Sequence, residues 1–330
     1  MNKRLLFLIN PNAGKGEIRA KALDVIDLFV REGYEVTVHT TQRRWEIPDL
    51  LRERAGGFDR IVCSGGDGTL NETINGLLAC ENRPPLGYIP AGTVNDFASS
   101  LGIPKTIPEA AAIAVDGAPY ACDIGLFGGR AFSYIAAFGA FTDVSYQTPQ
   151  QVKNWLGRAA YILEGIKRLP GIQPWPMRLV CDGRELAGEF LFGMITNSTS
   201  VGGFAVGERI GVSMNDGLLE VVLVRQLQSH AERQRVINAL LEGELDPDFV
   251  TVTKARRVEV FSDQPRPWTL DGEFGGEVEH VVIEVLPSAI QVLTDPALAA
   301  EGGRASAGPD LIRAPKFSGK STQGYHISAL

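Results

Sequence analysis

Residues 60–78 read Arg60-Ile-Val-Cys-Ser-Gly-Gly-Asp-Gly-Thr-Leu-Asn-Glu-Thr-Ile-Asn-Gly-Leu-Leu78, and no other segment limits the fold as tightly. A short apolar run ends directly in Gly65-Gly66-Asp67-Gly68-Thr69. Leu70, Ile74, Leu77 and Leu78 then fall on one helical stripe. The glycines let the backbone approach a ligand closely. The helix after them aims unpaired N–H groups and its positive end at the loop. From these residues alone a phosphate site and a tight strand–helix turn stand level. Asp67 tilts the balance, because a carboxylate beside bound phosphates needs a cation between them, and Mg2+ is the usual one.

The same alternation runs through the first 125 residues. Strands are expected at Leu5–Ile9, Glu35–His39, Arg60–Ser64 and Leu86–Ile89, and helices at 18–31, 47–55 and 69–79. Short continuous apolar strands between amphipathic helices indicate an α/β unit with a mostly parallel sheet covered on both faces. After Asp123 the pattern becomes β-like: 120–126 and 131–138 joined through Gly128-Gly129, then 176–196, 218–224, 249–262, 267–271 and 281–294. Helical stretches are expected at about 150–169 and 229–241. With 330 residues, two domains are expected. One is an α/β domain at 1–125, completed by about 295–305. The other is a β-rich, antiparallel, sandwich-like domain at 126–294, and 306–330 reads as a flexible tail.

Charge and cysteines narrow the classes. A net charge of −7 opposes general nucleic-acid binding and a surface drawn everywhere to anionic membrane. No apolar run approaches a membrane span. Lys3-Arg4 before Leu5–Ile9 mimics a signal peptide, but five apolar residues stopped by Asn10-Pro11 read better as a buried strand. Cys63, Cys80, Cys122 and Cys181 have neither metal nor redox spacing, so a reduced cytosolic setting is expected.

Two further loops leave strand ends on the same sheet edge. One is Asn10-Pro-Asn-Ala-Gly-Lys-Gly16. The other is Pro90-Ala-Gly-Thr-Val-Asn-Asp-Phe-Ala98. Alone, the first is an ordinary turn and the second an N-cap; together they converge where open α/β sheets bind ligands. Familiar nucleotide signatures fail. G-x-G-x-x-G from Gly66 ends on Asn71, and Gly319-Lys320-Ser321 lacks the first glycine of a phosphate loop, which is Ala314. Asp96-Phe97 is followed by Ala98, so the protein-kinase triplet is absent too.

In order and spacing, these three loops resemble the soluble bacterial diacylglycerol kinases, within the larger lipid-kinase family that includes sphingosine and ceramide kinases. The resemblance runs on through Cys122-Asp-Ile-Gly125, Val144-Ser-Tyr-Gln-Thr-Pro149, Thr196-Asn-Ser198, Met214-Asn-Asp-Gly-Leu218 and Leu270-Asp-Gly-Glu-Phe-Gly-Gly276. It spans roughly residues 3–295. Val94 departs from the glycine found in many relatives.

The resemblance implies ATP bound along Asn10, Pro11, Asn12, Ala13 and Gly14, Thr41, the loop Gly66, Asp67, Gly68, Thr69, Leu70, Asn71 and Glu72, and Thr93. Asp67, Asp96 and Asp123 match acidic positions that hold the ATP-bound Mg2+, partly through water. A structural Mg2+ is implied on the Asp216 side chain and the carbonyls of Ser213 and Leu218. Read without the family, Asn215-Asp216-Gly217 is a turn. Glu273 matches the catalytic base, and Asp271-Gly272 before it is a hairpin signal.

The implied activity is transfer of phosphate from ATP to the free hydroxyl of diacylglycerol, giving phosphatidic acid. A sphingoid base or phosphatidylglycerol as acceptor, or a nucleotide-binding regulator without catalysis, stays open beside it. NAD kinase shares the Gly-Gly-Asp-Gly-Thr box but is opposed by Thr93-Val-Asn-Asp96 and Asp271-Gly-Glu273. A membrane lipid substrate implies a cytoplasmic enzyme docking peripherally on the inner face of the membrane. Lys153, Trp155, Arg158, Tyr161, Lys167 and Arg168 on one helix-like stretch are the best docking candidates, while a helix packing its apolar stripe on the β-rich domain with solvated charges outside is the other reading of the same stretch. The sequence leaves room for a homodimer.

Overall fold

The computed structural model describes residues 3–139, 173–201, 204–205, 211–241 and 245–302. The Val144–Pro149 motif, the stretch 153–168 and the tail beyond 303 lie outside the described residues.

The first half alternates as expected: β1 (Lys3–Ile9), α1 (Glu17–Arg31), β2 (Tyr34–Thr40), α2 (Ile47–Arg54), β3 (Arg60–Gly65), α3 (Asp67–Leu78) and β4 (Leu86–Pro90). Helices α4 (Asp96–Ser100) and α5 (Ile107–Asp116) follow. α5 was not foreseen. Ile107, Ala110, Ala111 and Ala114 face the core, but a stripe of alanines carries little hydrophobic contrast. β1, β2, β3 and β4 pair in parallel in the order β4-β3-β1-β2. Leu5, Leu6, Phe7 and Leu8 are all buried, the signature of a strand covered on both faces. From α1, Phe29 packs edge-on against Phe7.

The second half is antiparallel. Its strands are β5 (Ala118–Phe127), β6 (Arg130–Phe132), β7 (Ile135–Gly139), β8 (Trp175–Cys181), β9 (Arg184–Thr196), the short pair β10 (Ser200–Val201) and β11 (Phe204–Ala205), β12 (Leu219–Arg225), β13 (Val250–Ala255), β14 (Arg257–Leu270) and β15 (Glu273–Thr294). Helices α6 (His230–Leu241) and α7 (Pro296–Gly302) complete the described chain. The single run expected at 176–196 is two strands, because Asp182-Gly183 turn back with positive φ. The pieces expected at 249–262 and 267–271 are instead β13 and a continuous β14, whose register slips between Phe261 and Arg266.

Alternation along these strands serves two cores. In β7, Ala136 and Phe138 enter a cluster with Trp268, Leu179 and Ile283. Ile135 and Ala137 face a separate cluster with Val222, Phe249 and Val236 of α6. Covering on both faces explains why these segments read as nearly unbroken apolar runs.

One strand joins the halves. β15 pairs antiparallel with β14 over its first part and with β5 beyond Ile283, and Val292 pairs in parallel with Leu86 of β4. Its register shifts between Leu286 and Ile290, where Ser288 has positive φ. Ala289, Ile290 and Val292 pack in the first core. The chain therefore re-enters the α/β half within β15, earlier than the return expected at about residue 295. All four cysteines are free thiols.

Candidate active site

The ends of β1, β3 and β4 and the start of β15 bring the loops together. Asn10 donates its backbone N–H to the Ser64 carbonyl, and Thr41 donates to that of Ile9, so the ends of β1, β2 and β3 are level. The Asn10 side chain then donates from Nδ2 to Thr69 Oγ1 at 3.0 Å, and its Oδ1 accepts the Asn12 N–H. The Pro11 carbonyl and Asn12 side chain accept from Arg19 of α1, which holds the first loop open.

Glycine is needed where loops touch. A Cβ on Gly14, which has φ +53°, would run into the Ala91 carbonyl oxygen. A Cβ on Gly92 would lie 2.6 Å from Gly66 Cα. The three loops are thus packed backbone to backbone, with Ala13 buried beneath them. Thr93 is exposed at the rim. Asn95 is the tie between them. It sits at φ +57°, and its side chain pairs with both the N–H and the carbonyl of Gly92. It therefore folds back on its own loop and does not cap α4.

Asp67 opens α3 at the centre. Its Oδ2 accepts the Asn95 N–H at 3.0 Å, and the Phe97 N–H also faces the carboxylate. Its Oδ1 is buried with no hydrogen-bond partner among the described residues. Burial, then the like charges of Asp96 and Asp271, push its carboxyl up to about 7. An orphaned carboxylate oxygen under that strain fits a cation shared with a triphosphate. Asp96 is buried behind it, with Oδ1 accepting from Ser200 Oγ at 2.7 Å across the two halves.

The other expected positions divide. Leu70 is wholly in the core, and its N–H is bonded to the Gly66 carbonyl. Asn71 is buried and donates to Ala131 O and Asp271 Oδ2. Neither side chain is turned to the phosphate loop, because positions four and five of α3 face the sheet and the β-rich half. Glu72 accepts the N–H groups of Trp45 and Ile47 and so anchors the start of α2. Asp123 has different partners from Asp67 and Asp96. Its two oxygens accept Ser288 N–H at 2.7 Å and Gly217 N–H at 2.6 Å, and its charged neighbour is Asp216. Burial raises its carboxyl to about 6. In this arrangement it pins the bend of β15 to the 214–218 turn.

At residues 213–218 the one side chain implied to hold a structural Mg2+, Asp216, is already engaged. Asp216 Oδ1 accepts the Leu218 N–H at 3.0 Å, and Oδ2 lies 3.1 Å from Lys254 Nζ. Ser213 Oγ donates to Asn215 Oδ1 within the turn. Both Asp216 oxygens already face a donor, and one of those donors is a cation. Among the described residues no set of three His, Cys, Asp or Glu side chains is arranged around a metal position.

Glu273 begins β15 and projects back across the cleft. A Cβ on Gly68 would be only 3.4 Å from its Oε1, so the carboxylate stands against the N-terminus of α3. Arg44, from the loop between β2 and α2, makes an ion pair with the same oxygen. Arg130 stacks on Trp45 beside it. Two residues earlier, Asp271 is almost fully buried and accepts from Asn71 Nδ2, Ser133 Oγ and the N–H groups of Ser133, Tyr134 and Ile135. It sets the position of the turn that carries Glu273. Asp271, Asn95, Ser200 and Arg44 were not among the expected site residues. Only Asn95 and Asp271 lay inside quoted motifs.

Similarity to known proteins agrees with this division into halves. Residues 4–127 match the diacylglycerol kinase catalytic domain, and residues 138–294 match the YegS C-terminal NAD kinase beta sandwich-like domain. The chain is 37% identical over 279 residues to the diacylglycerol kinase of Bacillus subtilis strain 168, covering 83% of this chain and 91% of that one. It is 33% identical to the diacylglycerol kinase of Staphylococcus aureus strain MRSA252, covering 84% and 88%. A crystal structure of a diacylglycerol kinase from Bacillus anthracis str. Sterne superposes with a TM-score of 0.71 at 22% identity, over 90% of this chain and 98% of that one, and shows the shared fold. On these grounds the chain belongs to the diacylglycerol kinase family.

Proposed function

We propose that this chain transfers the γ-phosphate of ATP to the free hydroxyl of diacylglycerol, giving phosphatidic acid. The observation that carries the proposal is the contact between Glu273 and the start of α3. A carboxylate from the β-rich half stands beside the helix end that opens on the glycine loops, close enough that a Cβ on Gly68 would meet it. An acceptor hydroxyl lying between them would meet a proton acceptor on one side and a phosphate cradle on the other.

In this reading the N–H groups of the Gly66–Thr69 loop orient the triphosphate, and the 10–14 and 90–93 loops, whose N–H groups are largely engaged within the protein, shape the walls around it. Asp67, with Asp96 behind it, would hold Mg2+, which when bound supplies positive charge to the phosphate oxygens. Glu273 takes the hydroxyl proton as attack proceeds. Asp271 positions Glu273 through the turn. No helix among the described residues is long and apolar enough to cross a membrane. The lipid would then be reached by peripheral docking on the inner face of the membrane. The test is phosphate transfer from radiolabelled ATP to a panel of lipid alcohols in mixed micelles. Label on diacylglycerol supports the proposal. Label only on a sphingoid base or phosphatidylglycerol moves the acceptor, and label on none removes the activity.

A further inference from the structure

Acidic side chains gather a second time, in the β-rich half. β12 and β13 run antiparallel with Glu220 directly opposite Lys254. Side chains directly opposite across a ladder are within reach of each other, and here the two charged ends lie 3.0 Å apart. Lys254 Nζ is also 3.1 Å from Asp216 Oδ2 and 2.5 Å from the Gly211 carbonyl oxygen. An ammonium has three N–H donors and no acceptor, and three oxygens surround this one. Two carboxylates and a carbonyl are equally the ligand set of a hard divalent cation.

Glu220 makes the cluster consequential. It is 0% exposed, and neither of its carboxylate oxygens has a well-aligned hydrogen-bond donor among the described residues, so the Lys254 charge 3.0 Å from Oε1 is what faces it. Without a cation here, a buried carboxylate would face Asp216 with nothing to offset either charge.

We propose that the Lys254 ammonium occupies a divalent-cation position beside the 211–220 segment, so that the β-rich half of this chain is held together with no metal ion there. Asp216 is thereby the partner of a lysine, and a metal could take that place only by displacing it. The inference stands apart from the kinase reading, because its readout is stability and not turnover.

The test is thermal melting of the nucleotide-free full chain in a chelator and in millimolar Mg2+, as wild type, Lys254→Met and Asp216→Asn. Lys254→Met keeps the apolar stem and removes the charge. It should lower Tm by about 5–10 °C in chelator, the scale of breaking a buried pair, and Mg2+ should restore part of the loss. Any rise of wild-type Tm with Mg2+ should persist in Asp216→Asn, since it would come from Asp67. A wild-type rise that disappears in Asp216→Asn overturns the proposal. So does a Lys254→Met chain as stable as wild type, or one that Mg2+ leaves unrescued. If Lys254→Met does not fold, calorimetric titration of Mg2+ into wild type and Asp216→Asn decides alone. Equal Mg2+ uptake supports the lysine, and one site lost with Asp216 overturns it.

Discussion

Asp67 with Asp96, and Asp216 with Glu220, are two acidic pairs built from the same chemistry and finished in opposite ways. The first pair lies at two helix starts, where the charged neighbours of Asp67 are the carboxylates of Asp96 and Asp271. The second joins the 214–218 turn to a strand ladder and carries its own ammonium. An unfinished electrostatic site is costly to fold and ready to bind, whereas a finished one only supports the fold. The difference teaches that acid count does not locate a cation site. What locates it is whether the chain already supplies the positive charge.

The largest expected contrast is in turnover. Asp67→Asn should lower kcat by on the order of 10³-fold, the scale of losing a group that manages charge in the transition state. Asp216→Asn, assayed where it is folded, should stay within about 3-fold of wild type. Steady-state kinetics with saturating ATP measure both. Equal losses would erase the distinction between a binding pair and a structural pair.

Glu273→Gln sharpens the same contrast from the other side of the cleft. It should lower kcat by about 10²-fold or more while leaving ATP affinity unchanged by calorimetry. A loss of ATP affinity equal to the loss of rate would place Glu273 with the nucleotide loops and not with the acceptor hydroxyl.

Stability should move in opposite directions for one kind of substitution. The Asp67 carboxyl is pushed from 3.8 in the unfolded chain to about 7 in the folded one. Between these values the folded chain holds more protons, so ionisation removes stability as pH rises through the window. Asp67→Asn takes away that cost. Its nucleotide-free Tm should exceed wild type near pH 8, by on the order of 1–3 kcal/mol or about 2–6 °C, with a gain that shrinks toward pH 5. Asp216→Asn should instead lower Tm, because Lys254 loses a charged partner. Melts across pH would break the comparison if both variants shifted the same way.

Much of the first pair was legible in the sequence and little of the second. Asp67, Gly66 and Gly68 sit in one contiguous run, and the loops that meet them each leave a strand end, so local spacing carried the geometry. Lys254 lies 38 residues from Asp216, and only strand register brings them together. One signal was available: Glu220 interrupts the apolar run Leu219 to Leu223, and a buried acid in such a run requires a partner. Asp271 was read as a hairpin residue, which it is. Its grip on Asn71 and on residues 133–135 spans up to 200 positions of sequence and leaves no local mark. The resemblance to a family carried Asp123 into the nucleotide site by alignment of motifs. The fold instead places both its oxygens on backbone N–H groups of the 217 and 288 turns.

The smallest expected effect belongs to Arg44, and it tests burial as the deciding variable. Arg44 and Glu273 also form a lysine-type contact between a cation and a carboxylate, and theirs crosses between the halves. Their side chains are 76% and 40% exposed, against 30% and 0% for Lys254 and Glu220. In water-facing geometry the Coulomb gain is screened and two long side chains lose freedom, so such pairs contribute roughly 0–1 kcal/mol. Arg44→Ala should therefore shift Tm by no more than about 2 °C, and raising the salt should shrink even that shift within a Debye length of ions. Lys254→Met should show a larger loss that salt barely alters, because no ions reach between Lys254 and a fully buried carboxylate. Paired melts of the two variants at low and high salt measure this. If Arg44→Ala costs as much as Lys254→Met, solvent exposure does not separate the two contacts, and Arg44 becomes part of what holds the cleft closed.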